Sequence, residues 1–410
     1  MSGRIVMRHG GRVYRDWTRA EIKRDLGEIS GSFTFEYNDQ ARAASGLPPM
    51  PGRQLLFVAL APGSTQVDIE VDGELVLRGY IDDVDLQLDG EQIRATITGR
   101  DRTGDLVDST ANPDGPAEYR DLTLTEIARR LVQRFGISVT ADVDVGAKFP
   151  RFSLDTSETV LSALEKAARQ RSVLTLSDGI GGLLLTRAGR RRGPAPLVMP
   201  GNVLSLATRL SWQNRFSDYI VKGQTENPAK KKVALDGTAR PLDPDGPVDP
   251  KKAEARKKST RSTIVMTGRA KDPEVTRYRP RVWTVRTQSG GASVAEQAAW
   301  RMRTARGASE GVTYAVKGWR DGTEQRLWRP NEIVLVDDGY SLFGSDMLIA
   351  GVTYQDGEEG ARTQLRVVGP ETYDRIDEGD SRARRETRRL ERERKLKKQL
   401  DGTARPLGER

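Results

Sequence analysis

Short apolar–polar alternations occur near both ends of this 410-residue chain, in the same order each time. The first set runs PGRQLLFV (51–58), LVLRGYI (75–81) and IRATITGRD (93–101). The second runs RPNEIVLVDD (329–338), MLIAGVT (347–353) and QLRVVGPE (364–371). Period-two alternation puts every second side chain on one face of a strand, so such segments demand a sheet with a covered face. Gly79 aligns with Gly351 and Gly99 with Gly369 in this reading. The match lies in order and spacing rather than identity, and any two antiparallel domains can share such a pattern. If the repeat is real, the chain is an α+β protein with two similar antiparallel β-barrel-like domains. A symmetric trimer of it presents six similar domains around one axis, which lets a threefold object sit on a sixfold tube.

Between the two sets the period changes. In TLTEIARRLVQRFG, Leu124, Ile127, Ala128, Leu131, Val132 and Phe135 share one helical face. Thr123 with Glu126 forms a capping box, and Gly136 stops the helix. ISVTADV then reads as a strand. Asp155 with Glu158 opens a second helix burying Val160, Leu161, Leu164, Ala167 and Ala168. VLTLS and LLLTR form a hairpin across DGIGG, which lacks the Lys-Ser/Thr and following helix of a phosphate loop. The expected organisation is a first β domain (1–112), a helix–strand α/β module (117–198) and a second β domain (199–370) with a helix at 293–306. Residues 371–410 form a basic, helical or disordered C-terminal extension. Residues 224–262 have almost no apolar content and read as a long mobile insertion.

Composition removes most chemistry. There is no cysteine, so disulfides, zinc–thiolate sites and thiol nucleophiles are excluded. The one histidine, His9 in MRHGG, reads as an exposed turn residue and cannot by itself build a triad or a multi-histidine metal site. The acidic clusters Asp82, Asp83, Asp85 and Asp337, Asp338 fall at strand ends and turns, where aspartate serves turn chemistry. No enzyme activity and no cofactor are expected. No apolar run is long enough to span a bilayer, and MSGRIVMRHGGRVYRDW lacks a signal-peptide core, so neither membrane insertion nor signal-directed export is expected. The net charge of +9 is local. Residues 381–400 hold ten Lys/Arg against three Glu, and 229–258 hold nine against five Asp/Glu, which leaves the remaining chain slightly acidic.

The order RGYIDDVDLQLDG…ITGRDRTGDLVDS, YRDLTLTEIARRLVQRFGI, SETVLSALEKAARQRSVLTLSDGIGGLLLTR, RFSDYIVKGQ, RYRPRVW and LWRPNEIVLVDD…LIAGVTY…GARTQLRVVGPETY resembles the baseplate hub proteins of Mu-like contractile-tailed phages. It is more distantly similar to the T-even hub and to the hub half of type VI secretion spike proteins. The resemblance covers about residues 1–370. It implies a homotrimeric, pseudo-hexameric structural ring, assembled in the host cytoplasm and located in the virion baseplate. Its partners would be further copies of itself, the tail tube or a tube-initiating ring, other baseplate proteins and a separate trimeric spike. A spike on a separate chain is implied because no OB-like segment or β-helix follows residue 371. No catalytic residues carry over.

Two features fall outside that resemblance. The word LDGTARPL occurs at 235–242 and again at 400–407, each time after a basic run. Asp236, Arg240, Asp401 and Arg405 are therefore candidate docking residues. The basic tail offers Arg388, Arg392, Lys395 and Lys398 as candidate partner contacts. That tail also keeps a nucleic-acid-binding reading open, although no aromatic residue lies within 381–400 to stack on bases. The helix–strand module likewise keeps a peptidoglycan-binding reading open.

Overall fold

The computed structural model describes residues 4–15, 17–38, 66–88, 93–189, 191–225, 264–286, 294–340 and 346–373. The N-terminal part is built from β1 (Ile5–His9), β2 (Arg12–Tyr14), β3 (Arg19–Asp25), β4 (Glu28–Asn38), β5 (Gln66–Val71), β6 (Glu74–Leu88) and β7 (Ile93–Asp101). The module after it comprises α1 (Gly104–Asp108), β8 (Glu118–Tyr119), α2 (Leu124–Val132), β9 (Ser138–Ala141), β10 (Phe152–Ser153), α3 (Val160–Gln170), β11 (Leu174–Ser177) and β12 (Gly182–Thr186). Then come β13 (Arg191–Arg192), β14 (Leu197–Val198), β15 (Val203–Leu210), β16 (Asp218–Thr225), β17 (Ile264–Lys271) and β18 (Pro280–Arg286). The last elements are α4 (Val294–Ser309), β19 (Glu310–Lys317), β20 (Arg320–Asp321), β21 (Arg326–Leu327), β22 (Glu332–Asp337), β23 (Asp346–Asp356) and β24 (Arg362–Val368). The chain divides into two compact units, 215–302 forming one and the rest the other.

In the larger unit one sheet runs β15-β19-β24-β23-β3-β4-β7-β6-β5-β1-β2, with β13, β14 and β22 joined beside β23. Two halves of this sheet have the same strand order. The N-terminal half reads β3-β4-β7-β6-β5, and the C-terminal half reads β15-β19-β24-β23-β22. All these neighbours are antiparallel. The path is open at both ends, and no closed barrel forms among the described residues. One face is covered by a continuous core that includes Ile22, Phe33, Phe35, Ile69, Leu77, Ile97, Tyr314, Trp328, Val352, Tyr354 and Leu365.

The register corrects two details of the sequence alignment. The strand that occupies the place of β22 is β5, whereas 51–58 lie outside the described residues. The glycines also do not correspond. Gly79 pairs with Asp101 before a bulge in β6, while Gly351 pairs with Arg366 just after a bulge in β23. Spacing alone cannot see a bulge, which inserts one unpaired residue and offsets everything beyond it.

The module packs around its own core of Leu124, Ile127, Leu131, Val160, Leu164, Val173, Leu183 and Leu185. The Thr123–Glu126 capping box is present, and Gly136 ends the following 3-10 turn in the left-handed region at φ 62°. The second helix starts later than Asp155. Asp155 and Glu158 form a turn, and Thr159 caps the helix through Ser162 N, because the threonine hydroxyl reaches the first free amides. The DGIGG hairpin forms, with Asp178 Oδ1 accepting from Ile180 N and Gly182 N, each at 2.8 Å. His9 is half-buried rather than exposed, its Nδ1 held 2.8 Å from the Gln66 carbonyl oxygen.

The smaller unit is a three-stranded sheet, β17-β16-β18. Val221 packs there with Val294 and Ala298. The fully buried Arg215 forms a bidentate pair with Asp272, at 2.9 and 2.8 Å. Burying both charges is tolerable because each satisfies the other, and removing either would leave an uncompensated buried ion.

Candidate functional site: an open-edged sheet

All eight residues singled out from the sequence, Asp236, Arg240, Asp401, Arg405, Arg388, Arg392, Lys395 and Lys398, lie outside the described residues. Among the described residues no group of three or more His, Cys, Asp or Glu side chains could hold a metal. What the described fold presents is a joint between two halves and, among its open strand edges, two that carry exposed leucines.

At the joint, β23 is long enough to change partners. Up to Leu348 it pairs with β22, and from Gly351 to Asp356 the same edge pairs antiparallel with β3, Gly351 opposite Asp25 and Tyr354 opposite Ile22. The bulge at Ala350 lies at the changeover. Arg366 on β24 reaches across to Asp25 with two bonds of 2.9 and 2.6 Å, and Gly351 leaves the room, since a Cβ there would sit 2.5 Å from Asp25 Oδ2. The halves meet again where Arg320 donates to Asp72 at 2.6 Å, at the tip of the β5–β6 turn, and contacts Glu74 at 3.0 Å.

The module is locked to the sheet through a buried carboxylate. Asp101 accepts from Ser30 Oγ (3.1 Å), Gly31 N (2.9 Å), Thr103 N (2.9 Å), Thr103 Oγ1 (2.5 Å) and Ser177 Oγ (2.7 Å). Those donors come from β4, the start of the module and its last hairpin. The glycine loop docks beside it, with Arg78 N donating to Gly179 O at 2.7 Å and Arg24 Nη2 to Ser177 O at 3.0 Å. Near this junction is a cavity of about 170 Å³ lined in part by Arg24, Asp178, Arg191, Arg329 and Glu332. Burial pushes the Glu332 carboxyl up to about 7, against the opposing pull of Arg326, Arg329 and Arg191.

The open edges were not anticipated from the sequence. Beyond Tyr80, β6 has β7 on one side and no strand on the other among the described residues. Among the described residues, strand β15 pairs only with β19. Both edges expose leucines: Leu86 is 52% accessible on β6, and Leu210 is 72% accessible on β15. Unpaired backbone beside exposed apolar side chains is a template for another chain. The signal was present in VDLQL and VLSLATRL, whose alternation asks for a covered face, but only the topology shows that nothing in the described chain covers these ends.

An antiparallel sheet of two like-ordered halves carrying a helix–strand module is the class of fold this arrangement defines, and it is the fold of phage tail proteins. Residues 4–101 match the family described as Mu phage baseplate assembly protein GpP-like, N-terminal. Residues 103–187 match the second domain of baseplate hub protein gp44-like proteins, and 290–376 the fourth domain of Mu phage baseplate assembly protein GpP. The chain is 30% identical to the baseplate hub protein gp44 of Escherichia phage Mu, covering 91% of this chain and 89% of that one. It superposes on the 43 kDa tail protein of prophage MuSo2 from Shewanella oneidensis with a TM-score of 0.72 at 27% identity, covering 90% of this chain and 98% of that one. A tail protein from Neisseria meningitidis MC58 shares the fold, with a TM-score of 0.70 at 19% identity over 92% and 99% of the two chains. The chain belongs to the Mu gp44-like baseplate hub family. It is a structural component of a phage tail.

Proposed function

We propose that three copies of this chain close into a ring with pseudo-sixfold symmetry, joining the tail tube to a separate membrane-piercing spike in the baseplate of a contractile tail. The carrying observation is the shared strand order of the two halves, β3-β4-β7-β6-β5 and β15-β19-β24-β23-β22, within one sheet. Three chains so built offer six equivalent sheets to a sixfold tube, and the barrel-like form of each half is completed by its neighbours. The organisation that fits is a β domain at 1–112, a module at 117–198, a second β domain at 199–370 and an extension at 371–410. Further partners in this reading are a tube-initiating ring and other baseplate proteins. The basic residues Arg388, Arg392, Lys395 and Lys398 serve as contacts to an acidic partner. Assembly takes place in the host cytoplasm before the particle is released.

Mass measurement of the purified protein in solution tests the ring. A species of three times the 45.4 kDa chain is expected. A species of one chain at all concentrations up to those of assembly overturns it. Salt-sensitive retention on DNA that a deletion of 381–400 abolishes would favour the nucleic-acid reading instead.

A further inference from the structure

We infer that the ring closes by strand addition, with β15 of one copy pairing antiparallel to residues 83–88 of β6 in the next, in the register that β3 makes with β23 inside the chain. The inference rests on the ring reading and adds to it which edges meet and which residues face each other.

The register follows from bulges that occupy the same place in each half. In β23, Leu348 is the last residue paired with β22, Ala350 is the bulge, and Gly351 begins the pairing with β3. In β6, Tyr80 is the last residue paired with β5, Asp82 is the bulge, and Asp83 begins the stretch with a vacant edge among the described residues. The spacing is the same, so Gly351, Val352, Thr353 and Tyr354 correspond to Asp83, Val84, Asp85 and Leu86. The outer strands agree. Arg366 opposite Gly351 takes the place of Thr98 opposite Asp83, and Thr313 opposite Arg366 takes the place of Thr34 opposite Thr98. Ile22 pairs with Phe33 as Thr208 pairs with Val312, and Lys23 pairs with Ser32 as Arg209 pairs with Gly311.

Carrying the observed β23–β3 pairs onto the vacant edges then gives defined partners. Tyr354 opposite Ile22 becomes Leu86 opposite Thr208 of a neighbouring copy. Val352 opposite Arg24 becomes Val84 opposite Leu210. Thr353 opposite Lys23 becomes Asp85 opposite Arg209. Two independent features of the surface agree with this register. Tyr354 is buried at 1% exposure, while its counterpart Leu86 is exposed, and on the other vacant edge Leu210, two residues beyond Thr208 and so on the same strand face, is exposed as well. Leu206, the counterpart of the buried Ala20, is already packed against the main core. Seating the two strands together would extend that core across the contact. The register also sets an aspartate opposite an arginine, both exposed in the single chain, where a one-residue slip would turn every side chain to the wrong face.

Charge reversal reads the register directly. Asp85→Lys sets a lysine against Arg209, and Arg209→Glu sets a glutamate against Asp85. Each single change is expected to weaken trimer formation at least tenfold in sedimentation or native mass measurements, and the double variant is expected to restore it. Thermal unfolding of the isolated chains checks that the protomer still folds, which both exposed positions permit. A double variant no better than the weaker single, with the wild type still trimeric, overturns the register and leaves the ring standing. Single variants that assemble like the wild type overturn it equally. A wild type that remains one chain overturns both.

Discussion

Glu332 begins β22 with 4% of its surface exposed, and its Oε2 has no hydrogen-bond partner. Its closest cation, Arg326, stands off at 3.6 Å. Desolvation therefore outweighs the surrounding arginines and raises the carboxyl from 4.5 to about 7. A folded-state value above the unfolded one means the folded chain holds a proton that the unfolded chain has released. The contribution to stability is complete below about pH 4.5 and is lost as pH rises through 7. The size of that loss is on the order of 2–3 kcal/mol. Glu332→Gln keeps the shape and one amide donor but cannot ionise. It is expected to unfold later than the wild type at pH 8 and to lose most of the difference at pH 5. Thermal unfolding at the two pH values, at one protein concentration, decides the point. Equal pH dependence in both proteins would mean that Glu332 finds a partner.

Among the elements, the β6–β7 pair tolerates little change at its glycines. A Cβ on Gly79 would lie 1.9 Å from the Arg100 carbonyl oxygen, and one on Gly99 would lie 2.1 Å from that of Tyr80. Both obstacles are backbone, so neither can swing aside. Gly11, in the β1–β2 turn, has φ +77° but open space around it. Gly11→Ala should cost about 1 kcal/mol of backbone strain. Gly79→Ala should cost roughly 3 kcal/mol or more, because two strands must separate. Denaturant unfolding of the two variants measures the contrast, and similar losses would show that the strand pair yields easily. The sequence carried much of this level. Capping at Thr123, the stop at Gly136, the Asp72-Gly73 turn and the strands on either side of DGIGG all depend on neighbours within a few residues, where residue type dictates geometry. The bulges at Asp82 and Ala350, the docking of Gly179 against the sheet and the partner change along β23 depend on contacts made between distant segments. Alternation reports only that a face is covered, not by what, which is why the edges at Leu86 and Leu210 were not seen in the sequence.

Over the whole molecule, the strand-order repeat makes the two halves of the large unit interchangeable in outline while their insertions differ. The short turn joining β3 to β4 spans Leu26–Gly27, whereas the equivalent link from β15 to β19 carries the entire 215–302 unit. The link within that unit from β16 to β17 holds the first copy of LDGTARPL, and the C-terminal extension holds the second. An eight-residue word recurring in two segments so poor in apolar residues is not called for by the packing of a core. A copied stretch of coding sequence without consequence is the alternative. We propose that both copies dock on equivalent surfaces of one symmetric neighbour. Three chains would then offer six copies to a sixfold ring, and linked weak sites raise avidity without new contacts. Arg240 and Arg405 supply the planar, charged contact, and Asp236 and Asp401 the turn before it. Particles carrying Arg240→Ala or Arg405→Ala should incorporate the hub less efficiently, and the double variant should lose more than either single, because each remaining copy can hold the ring only weakly. Hub content by quantitative mass spectrometry and plating efficiency measure the effect. Wild-type incorporation and infectivity in the double variant would mark the word as a relic of duplication.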